Sequence, residues 1–393
     1  MSEGVKQCVR CVLDTTVEEI TFDDKGVCNY CRGFDDYAHK TIWRDSTELE
    51  QERGRIIQAI KEMGKKHEYD CILGVSGGVD STYLAYLCKK YELRPLVVHF
   101  DNGWNSELAV QNIENIIQKL DYDLQTYVID WEIFRDIQYA YLKASVVDIE
   151  VPTDQFIFAA LYELAYKHGI KNVISGWNVA TEGIMPSSWI YGNKFDMFNL
   201  KNIHKNFGRL KKVKNYPKIG KFQEHFFWNV FGLRNFQMLN YVPYNKAEAK
   251  KTIQEELDWR DYGGKHYESI FTRFYQGYIL PKKFNIDKRK AHLSTLICTG
   301  EITREEALME LQKPPYPKEL QEEDKKYVLK KFDISEEEFQ EIMSSKRIDH
   351  GHYGKDQDGM FNFFFQIYRY GSYVPIRLMR KVGVLSKPIV MTQ

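Results

Sequence analysis

The sequence predicts an α/β protein in which a parallel sheet is preceded by a zinc ribbon and followed by a mainly helical region. Two observations lead to this fold class. Apolar runs of strand length alternate with helical patterns through residues 71–175, and two closely spaced cysteine pairs precede them. We therefore expect a zinc ribbon at 1–44, the sheet domain at 45–245, and a helical region at 246–393 that binds substrate or a partner.

The cysteine pairs are Cys8 with Cys11 and Cys28 with Cys31, and sixteen residues separate the two pairs. This spacing is typical of a four-thiolate zinc site. A turn at 23–26 fits a small hairpin between the pairs, and so short a segment needs a metal because its own core is small. Redox pairs, an iron–sulfur cluster and knuckles that no longer bind metal are the alternatives to structural zinc.

Four strands are predicted in order along the chain, at 71–75, 95–100, 125–130 and 172–175. One helix is expected at 45–69, before the first strand, and another after the loop that follows this strand. Further helices are expected to begin at Ser106, Trp131 and Pro152. This alternation makes the strands parallel in one sheet. Parallel sheets bind their ligands at the carboxyl ends of the strands, so the loops that follow the strands are the candidate sites.

The loop after the first strand carries Ser76, Gly77, Gly78, Asp80 and Ser81. Glycines allow several backbone N–H groups to converge on one anion, and the following helix adds its N-terminal dipole. The serine hydroxyls are further donors, and Asp80 can hold a magnesium ion that bridges phosphates. The Gly-Lys-Ser/Thr ending of a Walker A loop is missing. The pattern favours an anion-binding loop over a turn whose glycines serve only close packing.

Charge and hydropathy exclude several classes of protein. The chain has 393 residues with 55 basic and 55 acidic side chains, so its net charge favours neither nucleic acid nor a membrane surface. No charge-free run is long enough to span a bilayer, and the N-terminus lacks the apolar core of a signal peptide. A cytoplasmic protein is expected, in which the seven cysteines are not a disulfide framework.

Two segments are rich in cations. Residues 201–221 contain eight Lys and Arg and no acidic residue. In a neutral chain, this segment suits a solvated face or a docking surface for an acidic partner or an anionic sugar better than an RNA site. Residues 282–290 contain five cations, which can neutralise pyrophosphate or a reacting carboxylate or can be a solvated helix start. Capping boxes at Thr303 and Ser335 place helices in the same C-terminal region.

Ser-Gly-Gly-Val-Asp-Ser at 76–81 resembles the pyrophosphate loop of the PP-loop ATP pyrophosphatases, whose adenine nucleotide alpha hydrolase-like fold is shared by NAD synthetase. Further motifs are His-Phe-Asp-Asn-Gly-Trp at 99–104, Ser-Gly-Trp-Asn at 175–178, Lys-His-Tyr-Glu-Ser at 265–269 and Phe-x-x-Asp-Lys-Arg at 284–289. With the cysteine pairs, this order of motifs resembles the N-acetyl sugar amidotransferases over nearly the entire chain. Those enzymes act in the synthesis of lipopolysaccharide O-antigen and of related surface or flagellar glycans.

The resemblance implies an ATP-dependent ligase that turns an acetamido group into an acetamidino group. ATP, bound with Mg²⁺, would transfer AMP to the amide oxygen, and ammonia would then displace the AMP. The substrate would be an N-acetylated uronic or nonulosonic sugar, nucleotide-linked or free. No glutaminase triad is recognisable, so ammonia would come from a class I-type glutaminase subunit working with a barrel protein that resembles a histidine-biosynthesis synthase.

The resemblance also assigns roles to individual residues. ATP and its metal would contact Ser76, Gly77, Gly78, Asp80, Ser81, His99, Asp101, Asn102, Gly176 and Glu182, and the catalytic residues would be Asp80, Lys283, Lys288 and Arg289. Judged from the residues alone, helix capping and ligand contact are equally open for Asp101 and Thr153. One rival is a PP-loop tRNA-modifying enzyme of the thiolation or lysidine type. The other is a non-enzymatic scaffold, which the intact loop disfavours.

Overall fold

The computed structural model describes residues 4–264 and 267–356, together with Gln366 and Arg369. Its centre is a five-stranded parallel sheet in the order β3-β2-β1-β4-β5. The strands are β1 (Cys71–Gly74), β2 (Pro95–Asp101), β3 (Leu124–Val128), β4 (Asn172–Ile174) and β5 (Arg234–Phe236). Because all five run in the same direction, the loops after β1, β2 and β4 lie at one edge of the sheet.

Helices surround the sheet and make up most of the C-terminal region. They are α1 (Asn29–Lys40), α2 (Ser46–Gly64), α3 (Val79–Lys90), α4 (Glu107–Leu120), α5 (Trp131–Lys143), α6 (Val151–Lys167), α7 (Val179–Glu182), α8 (Met197–Phe207), α9 (Lys221–His225), α10 (Lys246–Leu257), α11 (Ile270–Phe274), α12 (Leu280–Phe284), α13 (Arg289–Thr299), α14 (Arg304–Gln312), α15 (Lys318–Phe332) and α16 (Glu336–Ser344). Short 3₁₀ or π turns occur at Ser187–Trp189, Phe226–Phe231, Met238–Tyr241, Tyr275–Ile279 and His350–Tyr353. No helix in the described part of the chain combines the length and apolar character needed to cross a bilayer.

The α/β class with a parallel sheet is confirmed, and the four predicted strands are present to within two residues at each end. Ser106 caps α4 as predicted, because its Oγ accepts a hydrogen bond from the Ala109 N–H at 3.2 Å. The sequence does not predict β5, whose three residues have two polar side chains and form no apolar run. β5 extends the sheet beyond β4, with Val173 opposite Asn235.

Successive side chains of the central strands point to opposite faces of the sheet and belong to two apolar clusters, one on each face. Leu73 and Val97 point to the face that α2, α3 and α10 cover. Ile72 and Val98 point to the opposite face, where they pack against Leu161 and other residues of α6. Burial on both faces explains why β1 and the first four residues of β2 are continuously apolar rather than alternating.

Residues 4–44, here called the cysteine module, fold around the two cysteine pairs. The predicted turn at 23–26 is present, with Gly26 at φ +79°. A single antiparallel bridge, from Phe22 to Cys28, joins the two arms of the hairpin. The module shares one apolar cluster with α5, α13 and α15. It is therefore packed into the C-terminal helices and not held on a linker of its own.

The C-terminal region is helical in its described part, as predicted. Thr303 and Glu306 form the predicted capping box at the start of α14. Ser335 caps α16 by accepting a hydrogen bond from the Glu338 N–H at 3.2 Å. The Glu338 carboxylate does not return this bond; it accepts one from the Tyr139 hydroxyl at 2.6 Å. The second predicted capping box is therefore only half formed.

Candidate active site

The turn between β1 and α3 forms a cradle at the carboxyl edge of the sheet. Gly77 adopts a left-handed conformation with φ +80°, and Gly78 occupies the N-cap of α3. Ser76 Oγ accepts a hydrogen bond from the Gly78 N–H at 3.3 Å, and Ser81 Oγ donates one to the Gly78 carbonyl at 3.2 Å. These bonds close the loop around the start of α3, where the N–H groups have no intrahelical partner and favour an anion.

Gly77 is held in place by residues outside the loop. Its carbonyl accepts two hydrogen bonds, one from Trp259 Nε1 and one from the Tyr262 hydroxyl, both at 2.7 Å. A Cβ at this position would lie 2.8 Å from the Ala109 carbonyl oxygen and 2.8 Å from the Tyr262 hydroxyl. The position therefore requires glycine both for its backbone conformation and for its lack of a side chain.

We expect Gly77→Ala to weaken ATP binding at least about tenfold and to destabilise the fold by about 2–3 kcal/mol, because the close contacts add to the backbone strain. Gly232→Ala is the matched control. Gly232 has the same φ of +80°, but an added Cβ would meet no heavy atom within 4 Å. This control should cost only the backbone strain of about 1 kcal/mol and leave ATP binding unchanged. Chemical denaturation and titration with a fluorescent ATP analogue measure the two effects, and equal losses in both variants would contradict the role of Gly77.

A cavity of about 450 Å³ opens over the cradle. Six of the predicted ATP-binding residues line it: Ser76, Gly78, Asp80, Ser81, Gly176 and Glu182. Gly176 is closely packed, since a Cβ there would lie 3.4 Å from the Ser81 nitrogen. Lys246, Lys250 and Glu268 also line the cavity. Its hydroxyls, ammonium groups and carboxylates are the chemical groups that bind phosphate and Mg²⁺ in proteins.

Asp80 lies in the first turn of α3 with one carboxylate oxygen already engaged. The Tyr244 hydroxyl donates a short hydrogen bond to Oδ1, and Asn178 Nδ2 lies 3.5 Å from the same oxygen. Burial raises the pKa of Tyr244 well above its ordinary value, so the phenol keeps its proton and remains a donor. Within the described residues, Asp80 Oδ2 has no hydrogen-bond partner. This oxygen is therefore placed to bind a metal ion from the cavity side.

The structure does not bring His99 and Asn102 to this cavity. His99 Nδ1 lies 3.1 Å from the Val75 carbonyl and must donate to it, so Nε2 accepts from Asn105 Nδ2 at 3.0 Å. Burial lowers the pKa of His99, in keeping with a neutral ring. Asn102 is buried, and its Oδ1 accepts a hydrogen bond from the Trp104 N–H at 3.1 Å. Both residues brace the loop after β2 internally.

Asp101 and Thr153, for which the sequence left helix capping and ligand contact open, do not cap a helix in the structure. Asp101 caps no helix: its Oδ1 accepts hydrogen bonds from the Gly103 N–H at 2.9 Å and from Asn105 Nδ2 at 3.1 Å. Thr153 lies inside α6, and its Oγ1 accepts a hydrogen bond from Gln138 Nε2 at 3.3 Å. Neither residue lines the cavity over the cradle. Asp101 thus stabilises the loop after β2, and Thr153 joins α6 to α5.

The sequence does not predict five residues that complete the cradle and its cavity: Tyr244, Lys246, Lys250, Trp259 and Tyr262. They come from α10 and the segments on either side of it, and α10 packs directly against α3. In sequence, α10 has the pattern of an ordinary charged helix on the protein surface. The only local signal is the pair Gly263-Gly264 directly after the two aromatic residues, since paired glycines allow a close approach to a ligand.

A second cavity, of about 270 Å³, adjoins the first, and Lys246, Gly263 and Gly264 line both. One wall of the second cavity is the start and one side of α13, with Lys288, Arg289, His292, Leu293 and Leu296. Tyr267 and Tyr316 add aromatic rings. This mixture of a few polar groups with aromatic and apolar side chains is typical of a pocket for a small organic ligand.

Of the three cations predicted to be catalytic in addition to Asp80, Lys288 lines this cavity. Burial lowers the pKa of Lys288, and the nearby carboxylates of Asp148, Glu150 and Asp154 act in the opposite direction. Arg289 lines the same cavity, but its guanidinium is already bound: Nη2 pairs with Asp287 at 2.7 Å, and Nη1 donates to the carbonyls of Glu310 and Lys313 at 3.2 and 3.0 Å. Arg289 therefore joins the start of α13 to the end of α14.

Lys283 lines neither cavity. Its ammonium donates to the Ile342 carbonyl and, at 2.9 Å, to Ser345 Oγ. Burial lowers the pKa of Lys283 to about 8. A cation in this position binds a carbonyl in the last turn of α16 and stabilises the end of that helix. The structure thus separates Lys283 from the other predicted catalytic residues.

The four cysteines of the module bring their sulfur atoms within 4.8 Å of one another. Cys8 Sγ is 4.0 Å from Cys31 Sγ, and Cys11 Sγ is 3.7 Å from Cys28 Sγ. Tetrahedral zinc with bonds of about 2.3 Å to sulfur requires sulfur separations of roughly 3.8 Å. The cluster therefore fits a zinc site, and the burial of all four cysteines is typical of a closed structural one.

Backbone N–H groups point at these sulfurs. Cys8 Sγ accepts from the N–H groups of Cys28 at 3.3 Å and Arg10 at 3.4 Å, and Cys28 Sγ accepts from the Cys31 N–H at 3.4 Å. Such outer hydrogen bonds stabilise thiolate charge and fix the orientation of the ligands. The module therefore supplies both the four thiolates and the donors that a metal-bound thiolate needs.

Two family models match separate parts of the chain. A family model for NAD synthase matches residues 53–217. A second model, described as "LPS biosynthesis protein WbpG-like, C-terminal domain", matches residues 268–368. The uncharacterized protein MJ1599 of Methanocaldococcus jannaschii is 26% identical over 331 residues, which is 81% of this chain and 97% of that protein.

Two solved structures are similar to part of the chain. The NH3-dependent NAD synthetase from Campylobacter jejuni subsp. jejuni NCTC 11168, in complex with nitrate, is 17% identical over 54% of this chain and 95% of that one, with a TM-score of 0.28. The NMN synthetase from Francisella tularensis is 16% identical over 55% and 94%, with a TM-score of 0.29. Because these TM-scores are low, the fold assignment rests on the observed parallel sheet and on the two family models. The chain thus combines an NAD synthase-like domain of the PP-loop ATP pyrophosphatase type with a C-terminal domain like that of the LPS biosynthesis protein WbpG.

Proposed function

We propose that this protein is an ATP-dependent, AMP-forming N-acetyl sugar amidotransferase in the synthesis of lipopolysaccharide O-antigen or a related surface or flagellar glycan. The substrate is an N-acetylated uronic or nonulosonic sugar, nucleotide-linked or free. The observation that carries the proposal is the wall common to the two cavities. The loop at 76–81 opens into the first cavity, the WbpG-like region supplies most of the second, and Lys246, Gly263 and Gly264 line both. A nucleotide in one and a sugar in the other would meet at that wall.

The proposed reaction overcomes the low reactivity of an amide. The acetamido oxygen attacks the α-phosphorus of ATP, and the bond to pyrophosphate breaks. Ammonia then attacks the carbon of the resulting O-adenylyl imidate, AMP leaves with the oxygen, and an amidine remains. No enzyme nucleophile takes part, so catalysis consists of positioning and charge stabilisation.

The residues of the first cavity have complementary parts in this proposal. The N–H groups and hydroxyls of the 76–81 loop bind the pyrophosphate, and Asp80 and Glu182 supply oxygen ligands for Mg²⁺. Lys246 lines both cavities and is therefore placed to balance charge between the phosphates and the acetamido oxygen. Lys250 is paired with Asp261 and contributes to the field at the phosphate end.

Lys288 is the cation that we expect to bind the anionic group of the sugar. Lys288→Met should raise the KM for the sugar about 10- to 100-fold and leave ATP binding unchanged, because a carboxylate in this cavity loses its charge-assisted hydrogen bond. Lys283→Met is the matched control, since it makes the same change in a half-buried lysine that lines neither cavity. It should lower the unfolding temperature without changing this KM. Equal rises of KM in both variants would exclude Lys288 as the anion contact.

The function is tested directly with ATP, ¹⁵N-labelled ammonium and a panel of diacetamido uronic sugars and nonulosonic acid precursors. We expect AMP and pyrophosphate in equal amounts and one ¹⁵N in each sugar product, detected by mass spectrometry. Formation of ADP in place of AMP would exclude the PP-loop mechanism. Absence of turnover across the whole panel would exclude these sugars as substrates.

Ammonia supply is part of the same proposal. A class I-type glutaminase subunit, working in the cytoplasm with a barrel protein that resembles a histidine-biosynthesis synthase, would deliver ammonia, and a high ammonium concentration should replace it. A docking surface for this partner is offered by the exposed lysines of the 201–221 segment: Lys201, Lys205, Lys211, Lys212, Lys214 and Lys218. The same exposed cations are what favours the second candidate, a tRNA-modifying enzyme. Retention on tRNA with a steep salt dependence would favour that candidate.

A further inference from the structure

Helix α13 separates the second cavity from the cysteine module. One side of the helix and the residue before it line the cavity with Lys288, His292, Leu293 and Leu296. The other side is buried and comprises Ala291, Ser294, Thr295 and Cys298. These two sets follow the helical period, so they lie on opposite sides of one rigid element. A displacement on one side of α13 would therefore move the other.

Two contacts join the buried side of α13 directly to the segments that carry the metal-binding cysteines. Ser294 Oγ accepts a hydrogen bond from the N–H of Val12, the residue after Cys11, at 3.3 Å. Cys298 Sγ lies 3.7 Å from the Sγ of Cys31, itself one of the four cluster cysteines. The first contact is near the middle of the helix and the second near its end, so together they fix its position along its length.

Charged side chains hold the same two segments together. Lys290, near the start of α13, pairs with Asp14 at 2.6 Å. Arg304, just after α13, donates to the carbonyls of Cys11 and Cys8 at 3.1 and 3.2 Å. The metal-binding loop of the module is thus in contact with α13 and the following residues at several points, and Cys298 is the one that reaches a metal-binding sulfur.

Cys298 is a fifth buried thiol beside a four-thiolate site. It is not one of the cluster cysteines whose ligand atoms lie within 4.8 Å of one another. A tetrahedral structural zinc site has no position for a fifth ligand, so Cys298 is placed outside the first coordination shell. Its S–H group is within reach of the Cys31 sulfur, where it acts as a donor to a ligand. Donors of this kind orient metal ligands and influence how tightly the metal is held.

We propose that Cys298 is a positioning residue that ties α13 to the metal-bound sulfur of Cys31. Through this link, the metal determines where α13 places Lys288 and His292 in the second cavity. The link between metal and helix stands independently of the reaction; only the assignment of that cavity to a sugar rests on the proposed function. The cysteine module is accordingly a part of the ligand-binding wall and not a remote stabilising unit.

Hydrogen exchange of the zinc-loaded protein, followed by mass spectrometry, tests the link without a sugar. In Cys298→Ala, we expect α13 amides to exchange about tenfold faster, with one zinc still bound per chain. Peptides from α3, which follows the 76–81 loop, should be unchanged. Cys88→Ala is the matched control, since Cys88 is an equally buried cysteine of the other apolar cluster. It should leave α13 exchange as in the unaltered protein.

Two results would overturn the proposal. The first is α13 exchange in Cys298→Ala that equals that of Cys88→Ala. The second is unchanged α13 exchange after chelation has removed the zinc. If chelation unfolds the whole chain, α3 and α15 peptides will exchange as fast as α13 peptides. In that case, α13 exchange in the zinc-loaded Cys298→Ala variant is the measurement that tests the proposal. Cys298→Ser, which keeps a donor at the same place, should restore slow exchange in part. Once a sugar is known, Cys298→Ala should raise its KM and leave that for ATP unchanged.

Discussion

Replacing Asp80 with asparagine should lower the rate of AMP and pyrophosphate release by about 100-fold or more and leave the fold intact. The amide oxygen of asparagine can still accept the hydrogen bond that the Tyr244 hydroxyl now gives to Oδ1. What is lost is the negative charge and the second oxygen, Oδ2, through which Asp80 would bind Mg²⁺ in the proposed reaction. Loss of an acidic residue from the first turn of α3 costs at most about 1 kcal/mol, so stability should change little.

A coupled pyrophosphatase assay at saturating ammonium measures this loss, and thermal unfolding checks the fold. Asp121→Asn is the control with the same chemistry. Asp121 is an exposed residue at the end of α4 with φ +53°, a conformation that asparagine adopts as readily as aspartate. The control should match the unaltered protein in rate and in unfolding temperature. Turnover by Asp80→Asn close to that of the control would show that Asp80 is not a ligand of the metal.

The cradle could be predicted from the sequence because its chemistry is local. The strand, the glycine turn, the hydroxyls and the helix start follow one another within about a dozen residues, and each constrains the next. The paired cysteines are a local signal of the same kind. In both cases, the residues that meet in space are also brought together by short spacings in the chain, and the structure places them as expected.

The rest of the first cavity could not be predicted because distant segments supply it. Trp259 and Tyr262 bind the Gly77 carbonyl from 182 and 185 residues away in the chain. An aromatic side chain with one polar atom has the same sequence pattern whether it fills a core or holds a backbone carbonyl. Tyr244 is the same case: nothing near it in the sequence indicates that its hydroxyl bonds to Asp80.

The roles of the cations could not be separated from the sequence for a related reason, because a sequence displays a charge without its partner. Arg289 and Lys283 were predicted as catalytic, yet the structure gives much of their hydrogen bonding to main-chain carbonyls of α14 and α16. Carbonyls at helix ends are present in any sequence and carry no residue signal. Lys288, one residue before Arg289, lines the same cavity, and nothing in the sequence separates the role of one from that of the other.

Cys28→Ser should remove the metal and lower the unfolding temperature by about 10 °C. This substitution isolates the role of the thiolate. Cys28 is the N-cap of α1, where its sulfur accepts a hydrogen bond from the Cys31 N–H, and serine is a better N-cap than cysteine. The helix start is therefore preserved, and the loss that remains belongs to the metal. Metal analysis and calorimetry measure the two effects.

Cys88→Ser is the control for this experiment, since it places the same hydroxyl in an equally buried position away from the module. This variant should keep its metal, and its free energy of unfolding should fall only by the cost of burying a hydroxyl, about 1–2 kcal/mol. The module and α13 share one apolar cluster, whereas the strand and the helix on either side of the 76–81 loop belong to another. We therefore expect the metal-free Cys28→Ser protein to keep the 76–81 loop and still bind an ATP analogue. A Cys28→Ser protein without metal but with an unchanged unfolding temperature would show that the thiolate cluster does not stabilise the fold.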